Sequence, residues 1–354
     1  MADHDSMPRE IRKSKPVTFA EQQSPKRKKH VGKEDHNTND ENAAQEDVFI
    51  RNIHARPING RYLLGHKLGE GGFGMVFLGR DIIDGREVAL KLEHRSVVPS
   101  ILEHEAERCR QFQDLAGFPQ MFWYGWHDHY KVMAFELLGP SLEDLFAFCG
   151  HRFSLKTTFM LIDHLLQRLE SLHSRNIVHR DINPQNCLMG TGGNGNVVYI
   201  TDFGLAEDAN SEDDPPGTRS IRPWLIGTAR YASIRGHEGR TQSFRDDLES
   251  LGYTMIYLAR GHLPWQGLKG RRRQKEELVL ERKRSITVED LCASLPEEFV
   301  TYMEYVRQLE YGAMPDYARM RALFRSGAWS RGWGDDGVFD WTVLLYLQHE
   351  RENT

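Results

Sequence analysis

The stretch His179-Arg180-Asp181-Ile182-Asn183-Pro184-Gln185-Asn186 is followed, after a strand-like Val197-Val198-Tyr199-Ile200, by Asp202-Phe203-Gly204. A carboxylate, an amide one short loop later and a second carboxylate beyond a strand are suited to moving a phosphoryl group. Asp181 can orient a hydroxyl and accept its proton, while Asn186 and Asp202 offer oxygen ligands to magnesium. The short loop puts base and metal ligand on the same side of a γ-phosphate, where positioning and charge neutralisation supply most of the catalysis. His179-Arg180-Asp181 alone would be a weak signal, since a surface loop can carry it by chance. Both motifs in this order, with a strand between them, specify a phosphoryl-transfer centre.

These side chains need a scaffold. Leu63 to Gly79 reads as strand, turn and strand, with Leu68-Gly69-Glu70-Gly71-Gly72-Phe73-Gly74-Met75-Val76 at the turn. Gly-x-Gly-x-x-Gly also marks dinucleotide-binding folds, but there it opens a helix, whereas here Met75-Val76-Phe77-Leu78 continues in β-type residues. Gly69, Gly71 and Gly74 therefore read as a hairpin lid whose backbone amides approach phosphates unhindered by side chains. Val88-Ala89-Leu90-Lys91 is the next strand, and its lysine is the candidate partner of the α- and β-phosphates. A helix is expected over Leu102 to Gln113, with Leu102, Ala106 and Cys109 toward one face and Glu105 as the counter-ion of Lys91. Val132 to Gly139 reads as a buried strand breaking at Gly139-Pro140, as a hinge between two lobes would. Ser141 caps a helix that follows it, and Thr157 to His173 carries Phe159, Leu161, Ile162, Leu165, Leu166, Leu169 and Leu172 at helical spacing. His127-Asp128-His129 reads as a polar turn between strands rather than a metal site, since no third ligand sits at a telling spacing.

A chain of 354 residues is long enough for about two domains, or one bilobal domain with an appendage. A net charge of -5 gives no general attraction to nucleic acid or anionic membrane, so any such contact must come from local patches. Cys109, Cys149, Cys187 and Cys292 show no paired spacing, which argues against a zinc site or disulfide framework and for a reducing compartment. No apolar run approaches the roughly 20 residues of a membrane span, and the N-terminus has no signal-peptide core. The expectation is a soluble intracellular protein. Residues 1–56 are charged and polar and read as a disordered tail. Within it, Pro25-Lys26-Arg27-Lys28-Lys29-His30 reads either as a nuclear import signal or as a solvated charge run, and the expected localisation is nucleus and cytoplasm.

Further strings resemble one family, the casein kinase 1 group of serine/threonine protein kinases. They are Glu136-Leu137-Leu138-Gly139-Pro140-Ser141-Leu142-Glu143-Asp144-Leu145-Phe146, Gly227-Thr228-Ala229-Arg230-Tyr231-Ala232-Ser233-Ile234, Arg245-Asp246-Asp247-Leu248-Glu249-Ser250-Leu251-Gly252-Tyr253 and Leu263-Pro264-Trp265-Gln266-Gly267-Leu268-Lys269. The resemblance spans about Asn59 to Leu347. It implies an α+β, bilobal protein kinase fold, with a β-rich N-lobe over 57–138 and a mainly helical C-lobe over 139–347, the tail before it and a short C-terminal end over 348–354. The implied reaction is transfer of the γ-phosphate of magnesium-bound ATP to serine or threonine of a protein. In it Asp181 is the base, Asn186 and Asp202 hold the metal, and Lys91 with Glu105 orients the phosphates. Nucleotide contacts fall to Leu68, Gly69, Gly71, Gly74, Val76, Ala89, Lys91, Glu136 and Leu138. Asp247 resembles the aspartate that holds the catalytic-loop backbone, and Ser233-Ile234 stands where most kinases carry Ala-Pro-Glu. Lys269 and Arg273 resemble cations that recognise an acidic or phosphorylated substrate residue, joined by Arg219 or Arg222. Arg271-Arg272-Arg273-Gln274-Lys275 could bind nucleic acid or serve as a second import signal, but given the resemblance reads better as a substrate or phosphate patch, with a solvated helix face as the alternative. The expected partners are protein substrates and ATP, not nucleic acid or membrane, and the chain is expected to act as a monomer. It ends soon after Val338-Phe339-Asp340-Trp341 and is expected to lack a long regulatory tail.

Three departures stand out. Asn183 replaces the lysine that would touch the γ-phosphate, and losing one preorganised donor costs roughly 10²- to 10³-fold in turnover by analogy with oxyanion holes. Glu207-Asp208 and Glu212-Asp213-Asp214 make the activation segment acidic where relatives are basic, and are expected to repel a substrate anion. Phe135 narrows the space behind adenine. The rival reading is a pseudokinase scaffold, favoured by Asn183 and opposed by the intact Lys91, Glu105, Asp181, Asn186 and Asp202.

Overall fold

The computed structural model describes residues 56–71, 74–209 and 225–353. The polar tail with its basic cluster, Arg219, Arg222 and the acidic run at 212–214 lie outside the described residues. The chain divides into two compact units, a sheet unit of residues 56–114 and 119–138 and a helical unit of residues 115–118 and 139–353.

In the sheet unit, β1 (Tyr62–Gly71), β2 (Gly74–Asp81), β3 (Glu87–His94), β4 (Met121–His127) and β5 (Tyr130–Glu136) form an antiparallel sheet in the order β1-β2-β3-β5-β4. Alternation along the strands sends Tyr62, Leu64, Phe77, Val88, Leu90, Leu92, Val132 and Ala134 into one buried cluster. Each valine, leucine and phenylalanine among them contributes about 1.5–3 kcal/mol by leaving water. The other face of β3 is left to Ala89 and Lys91. His127 pairs with Tyr130, so Asp128 and His129 make a two-residue turn, with Asp128 at φ 51.

Helix α1 spans Ile101–Gln111, slightly shorter than its sequence suggests, because the Phe112 amide turns back to the Cys109 carbonyl and ends it. Its start is bound to the sheet by Glu93, a buried carboxylate that accepts from the amides of Ile101 and Leu102 at 2.9 and 3.0 Å and from the Ser100 hydroxyl at 2.5 Å. Ser100 in turn caps the Glu103 amide at 3.1 Å. An anion at a helix N-terminus satisfies amides that have no helical partner and complements the dipole.

The helical unit opens with α2 (Leu142–Phe148), whose Ser141 and Asp144 form a reciprocal capping box, and α3 (Leu155–His173). Short strands β6 (Ile177–Val178) and β9 (Glu207–Asp208) pair with each other, as do β7 (Cys187–Met189) and β8 (Val198–Ile200). The rest is helical: α4 (Ile234–His237), α5 (Phe244–Arg260), α6 (Arg272–Ser285), α7 (Val288–Leu291), α8 (Glu297–Gln308), α9 (Tyr317–Ser330) and α10 (Asp340–Glu352). Helix α5 is buried almost all round, as a helix at the centre of a domain must be. Gly252 on α5 is required by packing, since a Cβ there would lie 2.3 Å from Met303 Sδ of α8. Helix α10 continues past Leu347, and its first residue, Asp340, accepts from the Ser154 amide at 2.6 Å and the Ser154 hydroxyl at 2.7 Å, fixing it to the start of α3. Cys187 and Cys292 are buried and Cys149, just after α2, is half-buried; all are free thiols.

Candidate phosphoryl-transfer site

The loop between β6 and β7 is organised by a carboxylate from another helix. Asp247 of α5 accepts from the His179 amide at 2.7 Å through Oδ2 and from the Arg180 amide at 2.8 Å through Oδ1. His173, fully buried at the end of α3, also donates to Asp247 Oδ2 at 2.9 Å, and the Tyr317 hydroxyl of α9 meets its other ring nitrogen. Burial alone would push the Asp247 carboxyl up, but the His173 hydrogen bond, the charge of both histidines and the His179 amide outweigh it and hold the group below the usual carboxylate range. Those bonds maintain Arg180 at φ 69, a left-handed conformation costly for a side chain of this size.

The strained turn delivers Asp181. Its Oδ2 accepts from Asn186 Nδ2 at 3.1 Å and its Oδ1 from the Thr228 amide at 2.8 Å, so both carboxylate oxygens are fixed by neutral donors. Thr228 can approach because Gly227 precedes it: at φ 88, a Cβ on Gly227 would lie 2.5 Å from the Arg180 carbonyl oxygen. Asn183 is buried in the same network. Its Nδ2 donates to the Asp181 carbonyl at 3.0 Å and to Thr228 Oγ1 at 3.4 Å, and its Oδ1 accepts from the Gln185 amide at 2.9 Å. The residue that in sequence registers only as a lost cation is thus a brace between the loop and Thr228.

Asn186 and Asp202 are tied through the residue between β8 and the second motif. The Thr201 amide donates to the Asn186 carbonyl at 2.9 Å, and the Thr201 carbonyl accepts from His179 Nε2 at 3.0 Å. Asp202 sits at φ 65, a second left-handed non-glycine residue, while Phe203 is buried against Phe118 and His179 at ring separations of 5.9 and 5.2 Å. The Asn186 amide nitrogen is committed to Asp181, which leaves Oδ1 to ligate a cation. One amide oxygen and one carboxylate are hard donors that fit magnesium, whose remaining positions water and phosphate oxygens commonly fill.

Arg180 has a further role. Its Nε donates to the Leu205 carbonyl and its guanidinium pairs with Glu207, each at 2.6 Å. Sequence alone assigns Glu207 to repulsion of a substrate anion. The structure corrects this, because its charge is engaged by Arg180, while Asp208 lies in β9 opposite Ile177.

In the sheet unit, Lys91 Nζ and Glu105 Oε2 are 2.6 Å apart, with both side chains at most 8% exposed. The pair forms because β3 directs Lys91 away from the apolar cluster and Glu93 sets the start of α1. Val76 lies opposite Lys91, Gly69 opposite Val76 and Gly71 opposite Gly74, so Val76, Ala89 and Lys91 share one sheet face beside the glycine hairpin. Ala89 is opposite Phe135, and Leu68 is exposed on β1. Glu136 ends β5, its Oε2 accepting from the Gln120 amide at 3.3 Å, and Leu138 follows the strand. Lys269 and Arg273 are exposed around the start of α6, where Arg273 lies 3.6 Å from Glu277 and Arg272 bonds Glu276 at 3.2 Å. Sequence reasoning did not single out His173, Tyr317, Thr228 or Glu93. They act on the motif residues through main-chain groups or from distant helices, and no local string marks such partners.

The chain matches a family model, described as protein kinase domain, over residues 62–307.

Proposed function

The chain belongs to the protein kinase family, whose members use ATP and magnesium, and on that premise we propose that it is a serine/threonine kinase of casein kinase 1 type. It transfers the γ-phosphate of ATP to hydroxyls of protein substrates and prefers sites beside an acidic or phosphorylated residue. The observation that carries this reading is the Asp181 carboxylate, held at one oxygen by Asn186 and at the other by the Thr228 amide.

A carboxylate fixed on both sides receives the acceptor hydroxyl in one orientation. As the hydroxyl oxygen bonds to the γ-phosphorus, its proton passes to Asp181 and the bridging P–O bond breaks, releasing ADP. Lys91, immobilised by Glu105, offers a cation to the α- and β-phosphates. Asn186 and Asp202 would hold magnesium, which would supply neutralisation of the phosphate charge. The serine/threonine preference and the casein kinase 1 assignment are supported by the strings around Gly139, Gly227, Asp247 and Trp265, and the acidic preference by Lys269 and Arg273 near α6.

Radiolabelled ATP with casein, and with a phospho-primed peptide and its unprimed twin, tests the proposal, with Asp202→Asn as blank. Label on serine or threonine, absent from the blank, is expected. Label on tyrosine would reject the serine/threonine assignment. A priming ratio in kcat/KM near one, or one untouched by Arg273→Ala, would reject the substrate preference. Nucleotide binding without transfer would favour the scaffold reading that Asn183 suggests.

A further inference from the structure

Glu281-Arg282-Lys283-Arg284 is a string of four charged residues, yet Lys283 has no exposed surface. Its Nζ donates to the carbonyls of Ala232 at 2.6 Å and Ala229 at 2.9 Å, and it lies 5.0 and 5.1 Å from the ring centres of Tyr253 and Trp265. Both hydrogen bonds go to main-chain carbonyls rather than to a carboxylate. Burying an ammonium in this way is unfavourable, and an apolar side chain of similar length would fill the space without that penalty.

The two carbonyls bracket Arg230 and Tyr231 within Gly227–Ser233. Thr228 ties the beginning of that stretch to Asp181 at 2.8 Å, Trp265 Nε1 donates to the Arg230 carbonyl at 2.8 Å, and the Ser233 hydroxyl donates to Asp246 Oδ1 at 2.6 Å. Just past it, the Ile234 amide donates to Glu249 Oε1 at 3.2 Å. Lys283 supplies two ties at the places between the others.

We infer that Lys283 is a positioning residue for the proposed kinase reaction: through the Ala229 and Ala232 carbonyls it holds Thr228–Tyr231 in register with Asp181, and so fixes the backbone beside which a protein substrate presents its hydroxyl. The inference rests on reading Asp181 as the base.

Several charged or titratable groups face Lys283. On α5, Glu249 accepts from the Tyr253 hydroxyl at 2.5 Å and the Ile234 amide at 3.2 Å, and burial raises the Tyr253 hydroxyl well above its ordinary value. On α4, burial and the Lys283 charge pull His237 down to about 3, and Arg307 of α8 lies beside Tyr253. Burial pulls Lys283 itself down to about 7, against the attraction of Glu249. Tyr253 and His237 therefore stay neutral across the neutral range while Lys283 changes charge. Below about pH 7 it makes charge-assisted bonds; above, it is an amine with weaker donors and no attraction to the two rings. Stability runs the other way. The folded pKa lies below the unfolded one, so the fold binds fewer protons between about pH 7 and 10, and this group's contribution to stability rises with pH over that window.

The test compares the full chain with Lys283→Met and Lys283→Arg at pH 6.5, 7.5 and 8.5. The readouts are kcat and KM for casein, KM for ATP, Tm, and hydrogen-exchange protection of the Thr228, Tyr231 and Ala232 amides. At pH 6.5 the methionine variant is expected to lose about tenfold in casein kcat/KM and in protection, with KM for ATP within about twofold of wild type. The deficit should shrink at pH 8.5, while the Tm of wild type relative to the variant rises. Arginine should restore part of the activity with no such pH dependence. A methionine variant with wild-type casein kinetics, or one whose deficit is equal at every pH, would overturn the inference. If the methionine variant does not fold, the pH dependence of wild-type protection and the arginine variant decide in the same sense. If wild type transfers no phosphate, the proposed function fails, and exchange alone decides: protection unchanged by Lys283→Met sinks the clamp, and protection lost at low pH upholds it.

Discussion

Arg180 and Glu207 form a 2.6 Å ion pair that joins the loop carrying Asp181 to the strand just beyond Asp202-Phe203-Gly204. Activation segments of kinases are often ordered by phosphorylation, through a new pair between arginine and phosphate. Here a carboxylate already provides the anion, and the Arg180 side chain is only 10% exposed.

Activity should therefore survive phosphatase treatment unchanged. Glu207→Gln should lower kcat several-fold, and Glu207→Lys by about tenfold or more, because it places a second cation against a desolvated guanidinium. Phosphorylation of casein before and after dephosphorylation, and by both variants, checks this. Activity that vanishes on dephosphorylation would show that the pair does not substitute for a phosphate.

Asn183 separates two effects that are usually confounded. Asn183→Ala removes the brace on the Asp181 carbonyl and Thr228 and leaves the Gln185 amide unpaired, so turnover should fall about tenfold or more. Asn183→Lys keeps a donor, adds a cation and loses the acceptor for Gln185. It should raise kcat several-fold while lowering Tm by a few degrees, since one neutral hydrogen bond is worth about 0.5–1.5 kcal/mol. A lysine variant no faster than wild type would mean that γ-phosphate charge is not limiting.

The Lys91–Glu105 pair is buried on both sides, so single and double replacements should differ in their cost. Lys91→Met should lower Tm markedly, because breaking a buried pair costs about 3–5 kcal/mol. Lys91→Met with Glu105→Leu should regain most of that loss, since replacing both charges is nearly neutral. Neither should regain phosphoryl transfer. Recovery of Tm without activity separates the packing role of the pair from the role proposed for it toward phosphate.

Asp247→Asn gives a pH signature. An amide has one acceptor oxygen where the loop needs two, so the variant should lose about 3 kcal/mol, or roughly 6–12 °C in Tm for a domain of about 200 residues. Because the folded pKa is depressed, the carboxylate's contribution is fully present above the ordinary carboxylate value and is lost only as pH falls through the lower folded one. Thermal scans should show a constant gap between wild type and variant from pH 5 to 8, closing below about pH 4. A gap that closes near pH 6 would contradict the depressed value.

The elements were legible where periodicity and capping are local. Ser141 with Asp144, the apolar stripe of α3 and the glycine hairpin are written in adjacent residues, and so are the motif residues themselves. What holds those residues is not local. Asp247 acts through two backbone amides far along the chain, and Thr228 contributes an amide that any residue possesses. Glu93 resembles an ordinary strand-end acid until α1 folds onto it. Lys283 misleads outright, because a lysine inside the charged string Glu281-Arg282-Lys283-Arg284 reads as solvent-facing unless its carbonyl partners are known. Glu207 misleads in the same way: sequence records the sign of its charge but not that Arg180 neutralises it.

The cysteines bear on chemical labelling. Burial pushes the thiols of Cys149, Cys187 and Cys292 up to about 12, so at neutral pH the thiolate is far rarer at each of them than at an ordinary exposed thiol. Electrophiles that consume thiolates should pass over these positions in the folded helical unit and attack only after local opening. The rate of alkylation at Cys149, beyond α2, at Cys187, in the β7–β8 ribbon, and at Cys292, after α7, then becomes a clock for how often each region unlatches, read by mass spectrometry without any engineered probe.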